Sequence, residues 1–237
     1  MTWLSRIAFS LLLAGSGACA EVRGTVRMSH SRVPAVRKGA DYSGVVVWLE
    51  PAGSAAHPTP PAGHATMDQI GKRFIPHIMA VQLGTKVNFP NNDPIFHNAF
   101  SNFSGQVFDF GLYAPGTSRE VTFTKPGVVR VFCNIHPAMS AVIVVLRYRW
   151  FAVSDQSGSF AIHDVPPGEY RLHVFHERAT EDTLLSLDRR IHVGDREVAL
   201  PPMEISEIGY IEGPHKNKYG VDYAPLAGDG AYPAGRK

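Results

Sequence analysis

The sequence is poor in cysteine and in charge, and it has no long apolar run. Its 237 residues include two cysteines, Cys19 and Cys133, and 19% are charged. Lysine and arginine total 23 against 21 aspartates and glutamates, so the chain lacks the basic excess typical of nucleic-acid binding. No apolar run approaches the roughly 20 residues that span a bilayer. We therefore expect neither a nucleic-acid partner nor a membrane-spanning segment.

Turn-forming residues are abundant by contrast. The chain contains 22 glycines and 18 prolines, and 44% of its residues are hydrophobic. This apolar content is enough for one large core or two small ones, which argues against disorder and collagen-like repeats. Many turn formers with few charges favour β-structure.

Residues 1–20 have the pattern of a secretory signal peptide. Arg6 precedes a short apolar run, and small residues lead to an expected cleavage after residue 20. A lipid anchor on Cys19 is the alternative, although the branched aliphatic residue expected three positions earlier is missing. Cleavage would leave Cys133 as the one cysteine of a periplasmic protein, where a lone thiol is buried, reactive or bound.

Most of the remaining chain alternates between apolar and polar residues. Val121 and Phe123 alternate with threonines, and residues 141–146 form a continuous apolar run that predicts a central strand. Residues 181–190 are the one weak helical candidate. Residues 52–65 are rich in proline, alanine and glycine and predict a linker, and residues 206–237 predict an extended tail. The expected fold class is all-β.

The residues around Cys133 carry metal-binding chemistry. The spacing C-x2-H-x2-M places His136 and Met139 shortly after Cys133, and His97 lies upstream in the segment NNDPIFHN. One thiolate, two imidazoles and a weak thioether are the ligands of a trigonal copper site. An inert buried thiol with an accidental histidine and methionine is one alternative. A zinc site is another, although one cysteine with methionine is a poor zinc ligand set.

These motifs resemble those of the cupredoxins, and the short ligand loop is similar to that of amicyanin. The resemblance implies a Greek-key β-sandwich over residues 66–148 that binds one type 1 (blue) copper ion. It implies that His97, Cys133 and His136 are equatorial ligands and Met139 is the axial ligand. Asn98 and Asn134 are implied to support the ligand loops, although many relatives carry a hydroxyl residue at the second of these positions.

A second resemblance covers the ends of the chain. Residues 149–205 resemble the transthyretin-like, or carboxypeptidase regulatory-like, β-sandwich, and its missing first strands are similar to residues 21–51. We therefore predict that the cupredoxin unit interrupts this second sandwich, because insertion at a loop with adjacent ends is well tolerated. The run from Met67 to Pro137 also resembles bacterial proteins labelled "methylamine utilization protein".

The function expected from these patterns is that of a one-electron carrier, not an enzyme. Its partner would be a redox protein such as a c-type cytochrome or a periplasmic dehydrogenase. Copper storage or delivery without redox turnover is an alternative, and so is a structural or interaction module. Asp93 is the only charge near an apolar patch that we expect to dock the partner. The residues of this patch are Ile95, Phe96, Ile135, Pro137 and Ala138.

Overall fold

The structure is a computed structural model that describes residues 19–53, 63–102, 105–210 and 216–223. In these ranges the chain is almost entirely β, which confirms the fold class. The helices are α1 (Pro34–Gly39) and α2 (Glu181–Leu187). The strands are β1 (Ala20–Ser29), β2 (Val46–Pro51), β3 (His64–Thr66), β4 (Asp68–Gln69), β5 (Phe74–Ile75), β6 (Ile78–Gln82), β7 (Lys86–Pro90), β8 (His97–Ser101), β9 (Phe108–Tyr113), β10 (Ser118–Thr122), β11 (Gly127–Phe132), β12 (Ser140–Leu146), β13 (Phe151–Val153), β14 (Ser159–Val165), β15 (Gly168–Phe175), β16 (Arg189–Val193), β17 (Val198–Ala199) and β18 (Met203–Ser206).

Strands β1, β2 and β13 to β18 build a sandwich that we call the flanking sandwich. One sheet has the order β14-β1-β17, with β18 also paired to β1, and the other has the order β13-β2-β15-β16. Val47 and Leu49 of β2 are fully buried in the core that these sheets share. Leu49 lies opposite Leu172 of β15, and its N–H donates to the carbonyl of Trp150 at 2.9 Å. Strand β2 therefore pairs with strands that follow it by about a hundred residues.

Strands β3 to β12 build the central sandwich. Its sheets have the orders β10-β7-β3 and β6-β12-β11-β8-β9, and β4 pairs with β5. Strand β12 lies between β6 and β11, and six of its seven residues are buried. The apolar run at residues 141–146 therefore does form a central strand, covered on both faces.

A third apolar cluster joins the two sandwiches. Val46 of β2 packs with Ile78 of β6 and with Val142, Val144 and Leu146 of β12. Successive side chains of a strand point to opposite faces. Strand β2 therefore sends Val47 and Leu49 into the flanking core and Val46 towards the central sandwich. Strand β2 carries apolar residues on both faces because each face packs against a different sandwich.

The structure differs from the predictions in several local elements. The helical candidate at residues 181–190 is a helix only over Glu181–Leu187, because Arg189–Val193 forms β16, and Ser206, assigned to the tail, ends β18. His64 and Ala65, assigned to the linker, belong to β3, which pairs in parallel with β7. Helix α1 was not predicted, because one buried residue, Val36, cannot make a visible helical stripe. It is a six-residue element with proline in its first turn and ends where Ala40 adopts a left-handed conformation, φ 48°.

Several predictions fall partly or wholly on residues outside the described ranges. These are most of the signal peptide at residues 1–20, residues 54–62 of the linker, and residues 211–215 and 224–237 of the tail. The division of the chain at residues 21–51, 66–148 and 149–205 stays a prediction, with which the strand pairings agree. In the described ranges, no helix combines the length and apolar character needed to cross a membrane.

Candidate metal centre

Strand pairing places the predicted ligands at one end of the central sandwich. His97 opens β8, and Cys133 directly follows β11. The two strands are antiparallel neighbours, with Phe100 opposite Phe132, so the start of β8 lies beside the end of β11. His136 lies in the turn that leads from β11 to β12. His97 and Cys133, which are 36 positions apart in the sequence, therefore lie side by side.

The sulfur and the two imidazoles converge on a common point. The Cys133 Sγ lies 3.9 Å from His97 Nδ1 and 3.6 Å from His136 Nδ1. The ligand atoms of the three residues all lie within 4.8 Å of one another. In the described part of the chain, no other set of three or more histidine, cysteine and acidic side chains forms such a group.

Burial affects the protonation of these groups. Burial raises the pKa of the Cys133 thiol, although backbone N–H groups of Ile135, Asn98 and His136 favour its thiolate. Burial also lowers the pKa of His136 to about 4, helped by the charges of His97 and Lys72. A neutral imidazole keeps a free electron pair, and a nearby cation would favour loss of the thiol proton. The site is therefore arranged to accept a cation.

The other nitrogen of His97 is held by a carboxylate. His97 Nε2 lies 2.7 Å from Asp93 Oδ2, and both side chains are buried. Asp93 also accepts backbone N–H groups from Gly71 at 2.6 Å and Lys72 at 2.8 Å. Burial raises the pKa of Asp93, but the Lys72 N–H and His97 outweigh it, so the pKa is lowered overall. From the sequence, Asp93 was identified only as a charge near the docking patch. Its position four residues before His97 was the one sequence signal for a contact between them.

Met139 closes the ligand loop. Its N–H donates to the carbonyl of His136 at 2.9 Å, and its carbonyl accepts the N–H of Cys133 at 3.1 Å. Its side chain is fully buried in the same apolar cluster as Cys133. The loop from Cys133 to Met139 is thus a compact turn with a buried thioether residue at its end.

Asn98 connects the two ligand segments. Its Oδ1 accepts the N–H of Asn134 at 3.1 Å, and its Nδ2 donates to Asp109 Oδ1 at 2.8 Å and to the carbonyl of Gly111 at 3.1 Å. The link between the loops uses the backbone of Asn134, so it does not require a hydroxyl side chain at that position. The Asn134 side chain is left to make another contact.

That contact is with a C-terminal segment that the sequence did not indicate. Asn134 Oδ1 accepts the N–H of Lys218 at 3.0 Å, and the hydroxyl of Tyr223 donates to the carbonyl of Cys133 at 2.8 Å. Residues 216–223 show neither alternation nor a motif, so no sequence signal places them beside the site.

The residues of the expected docking patch differ in exposure. Phe96 is 53% exposed, and Ala138 is also exposed. Ile95, Ile135 and Pro137 are partly buried, and Ile135 packs against the central core. His136 is itself partly exposed, whereas His97 and Cys133 are fully buried. Among the four predicted ligands, His136 is therefore the side chain with the most access to solvent.

The donor set fits copper. A cysteine sulfur and two imidazole nitrogens suit a soft or borderline transition metal, and a fourth, thioether residue lies at the end of the same loop. The carboxylate on His97 is the outer partner that metal-binding histidines commonly have. A calcium or magnesium site would need oxygen ligands instead.

No protein-family model matches the chain, and no curated protein does. Among solved structures, a copper-containing nitrite reductase from Thermus scotoductus SA-01 is 28% identical over 40% of this chain, with a TM-score of 0.32. The match spans only 25% of the reductase. A purple cupredoxin from Nitrosopumilus maritimus is 25% identical over 34% of this chain and 98% of its own, with a TM-score of 0.32. A reduced Cu(I) form of an amicyanin mutant is 18% identical over 42% of this chain and 97% of its own, with a TM-score of 0.33. At these TM-scores the similarity alone assigns neither function nor ligand.

Proposed function

We propose that this protein is a periplasmic type 1 copper protein that carries single electrons between redox partners, and that it is not an enzyme. His97, Cys133 and His136 are its equatorial ligands, and Met139 is its axial ligand. The proposal rests on one observation above all. The three side chains bring one sulfur and two imidazole nitrogens within 4.8 Å of one another.

When bound there, copper would supply a one-electron couple between Cu(II) and Cu(I). The chain holds the donors in place for both oxidation states. His97 is fixed through Asp93, and the loop of Cys133 is closed by hydrogen bonds to Met139. Burial of Cys133 and His97 keeps water from the sulfur. A fixed, dry donor set limits the rearrangement that accompanies electron transfer.

We propose that electrons pass through the partly exposed imidazole of His136. Around it lie the five patch residues, of which Phe96 and Ala138 are the most open. Asp93 is paired with His97 and is buried, so it adds little charge to this surface. The sequence did not indicate that exposed Lys72 lies close enough for its charge to act on His136. A small, mostly apolar contact suits brief docking to a c-type cytochrome or a periplasmic dehydrogenase. We assign the flanking sandwich, including residues 21–51 and 149–205, a scaffolding role.

The test is a titration of the copper-free protein with Cu(II), followed by visible absorption. We expect one equivalent to give an intense charge-transfer band from the Cys133 sulfur. The band should vanish in Cys133→Ser and persist in the matched control Cys19→Ser, because Cys19 is exposed and outside the site. Met139→Gln should keep the colour and lower the reduction potential.

The other outcomes separate the alternatives. A colourless protein that binds only Cu(I) would favour storage or delivery. A protein that binds neither oxidation state would favour a structural or interaction module. A band that survives Cys133→Ser would contradict the assigned ligand, and an unchanged potential in Met139→Gln would remove Met139 from the ligand set.

A further inference from the structure

Four residues from four parts of the chain form a closed ring of polar contacts beside the ligands. The Lys218 N–H donates to Asn134 Oδ1 at 3.0 Å, and the Asn134 N–H donates to Asn98 Oδ1 at 3.1 Å. Asn98 Nδ2 donates to Asp109 Oδ1 at 2.8 Å. Lys218 Nζ then closes the ring by an ion pair with Asp109 Oδ2, also at 2.8 Å.

Each member of the ring adjoins a different part of the site. Asn98 directly follows His97, and Asn134 directly follows Cys133. Asp109 belongs to β9, the edge strand paired to β8. Lys218 belongs to the C-terminal segment. Both segments that deliver ligands are therefore tied to residues 216–223.

A second contact acts on the ligand-bearing residue itself. The Tyr223 hydroxyl donates to the carbonyl of Cys133 at 2.8 Å, while the N–H of Cys133 donates to the carbonyl of Met139 at 3.1 Å. The backbone of Cys133 is thus held on both sides.

The C-terminal segment has internal structure that presents these two side chains. The side-chain oxygen of Asn217 accepts the N–H groups of Tyr219 and Val221 at 2.9 and 3.1 Å. The N–H of Gly220 donates to the Asn217 carbonyl, and Gly220 has φ 75°, which favours glycine. This turn separates Lys218 from Tyr223, so they reach different points of the ligand loop.

We propose that residues 216–223 are a clamp on the ligand loop, and that Lys218 and Tyr223 are positioning residues for Cys133. The clamp restrains the loop before any metal arrives, because all of its contacts are made within the chain. Restraining donors in advance reduces the ordering that metal binding must otherwise impose. The proposal rests on the proposed copper function for its purpose, but its contacts can be tested without copper.

The experiment measures how fast N-ethylmaleimide alkylates Cys133 in the copper-free full chain. The parent carries Cys19→Ser, so that Cys133 is its one thiol. A buried thiol reacts through local opening, and we expect Lys218→Met with Tyr223→Phe to speed alkylation about tenfold. Lys218→Arg, used in place of Lys218→Met, should leave the rate close to that of the parent, because arginine can keep the ion pair with Asp109. The matched control Lys125→Met removes an exposed lysine elsewhere and should leave the rate unchanged.

Hydrogen exchange at the Asn134 amide gives a second measurement on the single variants, should the double variant fail to fold. The Asn134 amide is bonded to Asn98 and exchanges when the ligand loop opens. Tyr223→Phe and Lys218→Met each remove a contact that holds this loop or its partners, so each should speed the exchange. Alkylation within about twofold of the parent, or unchanged exchange in both single variants, would overturn the clamp. A missing charge-transfer band with faster alkylation would instead overturn the copper function and leave the clamp intact.

Discussion

Replacing Asp93 with asparagine should raise the reduction potential of the copper-loaded protein. Asp93 Oδ2 lies 2.7 Å from His97 Nε2, and the exposed fractions of the two side chains are 9% and 0%. The oxidised centre carries one more positive charge than the reduced centre, so a buried carboxylate favours the oxidised form. Asp93→Asn keeps a hydrogen-bonding oxygen near His97 and removes the negative charge.

The size of the shift follows from the strength of this hydrogen bond. A hydrogen bond to a charged group contributes about 1.5–3 kcal/mol, and a neutral one about 0.5–1.5 kcal/mol. The difference is about 1–1.5 kcal/mol. For a one-electron couple a tenfold change in equilibrium, or about 1.4 kcal/mol, corresponds to about 59 mV. We therefore expect an upward shift of about 40–60 mV.

The assay is a redox titration of the parent and the variant, each loaded with one copper, followed by the visible band. Asp68→Asn is the matched control, because it makes the same change of charge close by. Asp68 accepts hydrogen bonds from the Asn92 side chain and the Gln69 N–H, and it has no bond to a ligand. A shift in Asp93→Asn no larger than that in Asp68→Asn would refute a specific role of the carboxylate on His97.

Two further predictions concern the stability of the flanking sandwich. Leu49→Ala should lower the free energy of unfolding by about 2–5 kcal/mol in urea denaturation, because Leu49 is fully buried. His176→Phe should reduce the loss of stability on acidification. Burial, helped by the charge of Arg178, lowers the pKa of His176 to about 4, so its neutral form contributes stability above pH 6.5 that is lost as the pH falls towards 4. Between pH 7 and pH 4 the parent should lose about 3 kcal/mol more than the variant.

Each of these predictions has a clear contrary result. Leu185 in α2 is 59% exposed, and Leu185→Ala should change stability by no more than about 0.5 kcal/mol. An effect of Leu49→Ala as small as that of Leu185→Ala would mean that β2 contributes little to the core. Equal acid losses in the parent and in His176→Phe would mean that His176 does not titrate as its burial predicts.

Local patterns allowed much of the site to be predicted. The spacing of Cys133, His136 and Met139 is short, so the turn that holds them is visible in the sequence. His97 is 36 residues from Cys133, and its place beside the cysteine was predicted from a family resemblance. The convergence of the three side chains agrees with that prediction. Their roles as ligands stay predictions until metal is added.

The remaining features depend on contacts between distant segments. Asp93 was recognised only as a charge, because its role depends on the N–H groups of Gly71 and Lys72, which the fold brings to it. Lys218 and Tyr223 lie in a segment without periodicity, and only docking reveals their partners. Likewise, β3 owes its conformation to pairing with β7, because its three residues are too few to show an alternating pattern.

The position of β2 between β13 and β15 constrains the order in which the chain can fold. Val45, just before β2, bonds to Ser154, which lies 109 residues later. During synthesis, both apolar faces of β2 therefore stay exposed until later strands are made, and such exposure favours aggregation. The central sandwich is complete before β13 exists, and its residues Ile78 and Val142 can cover one of those faces. Once folded, it also shortens the loop that must close between Leu49 and Trp150. The central sandwich would thus serve as an internal template on which the rest of the protein assembles.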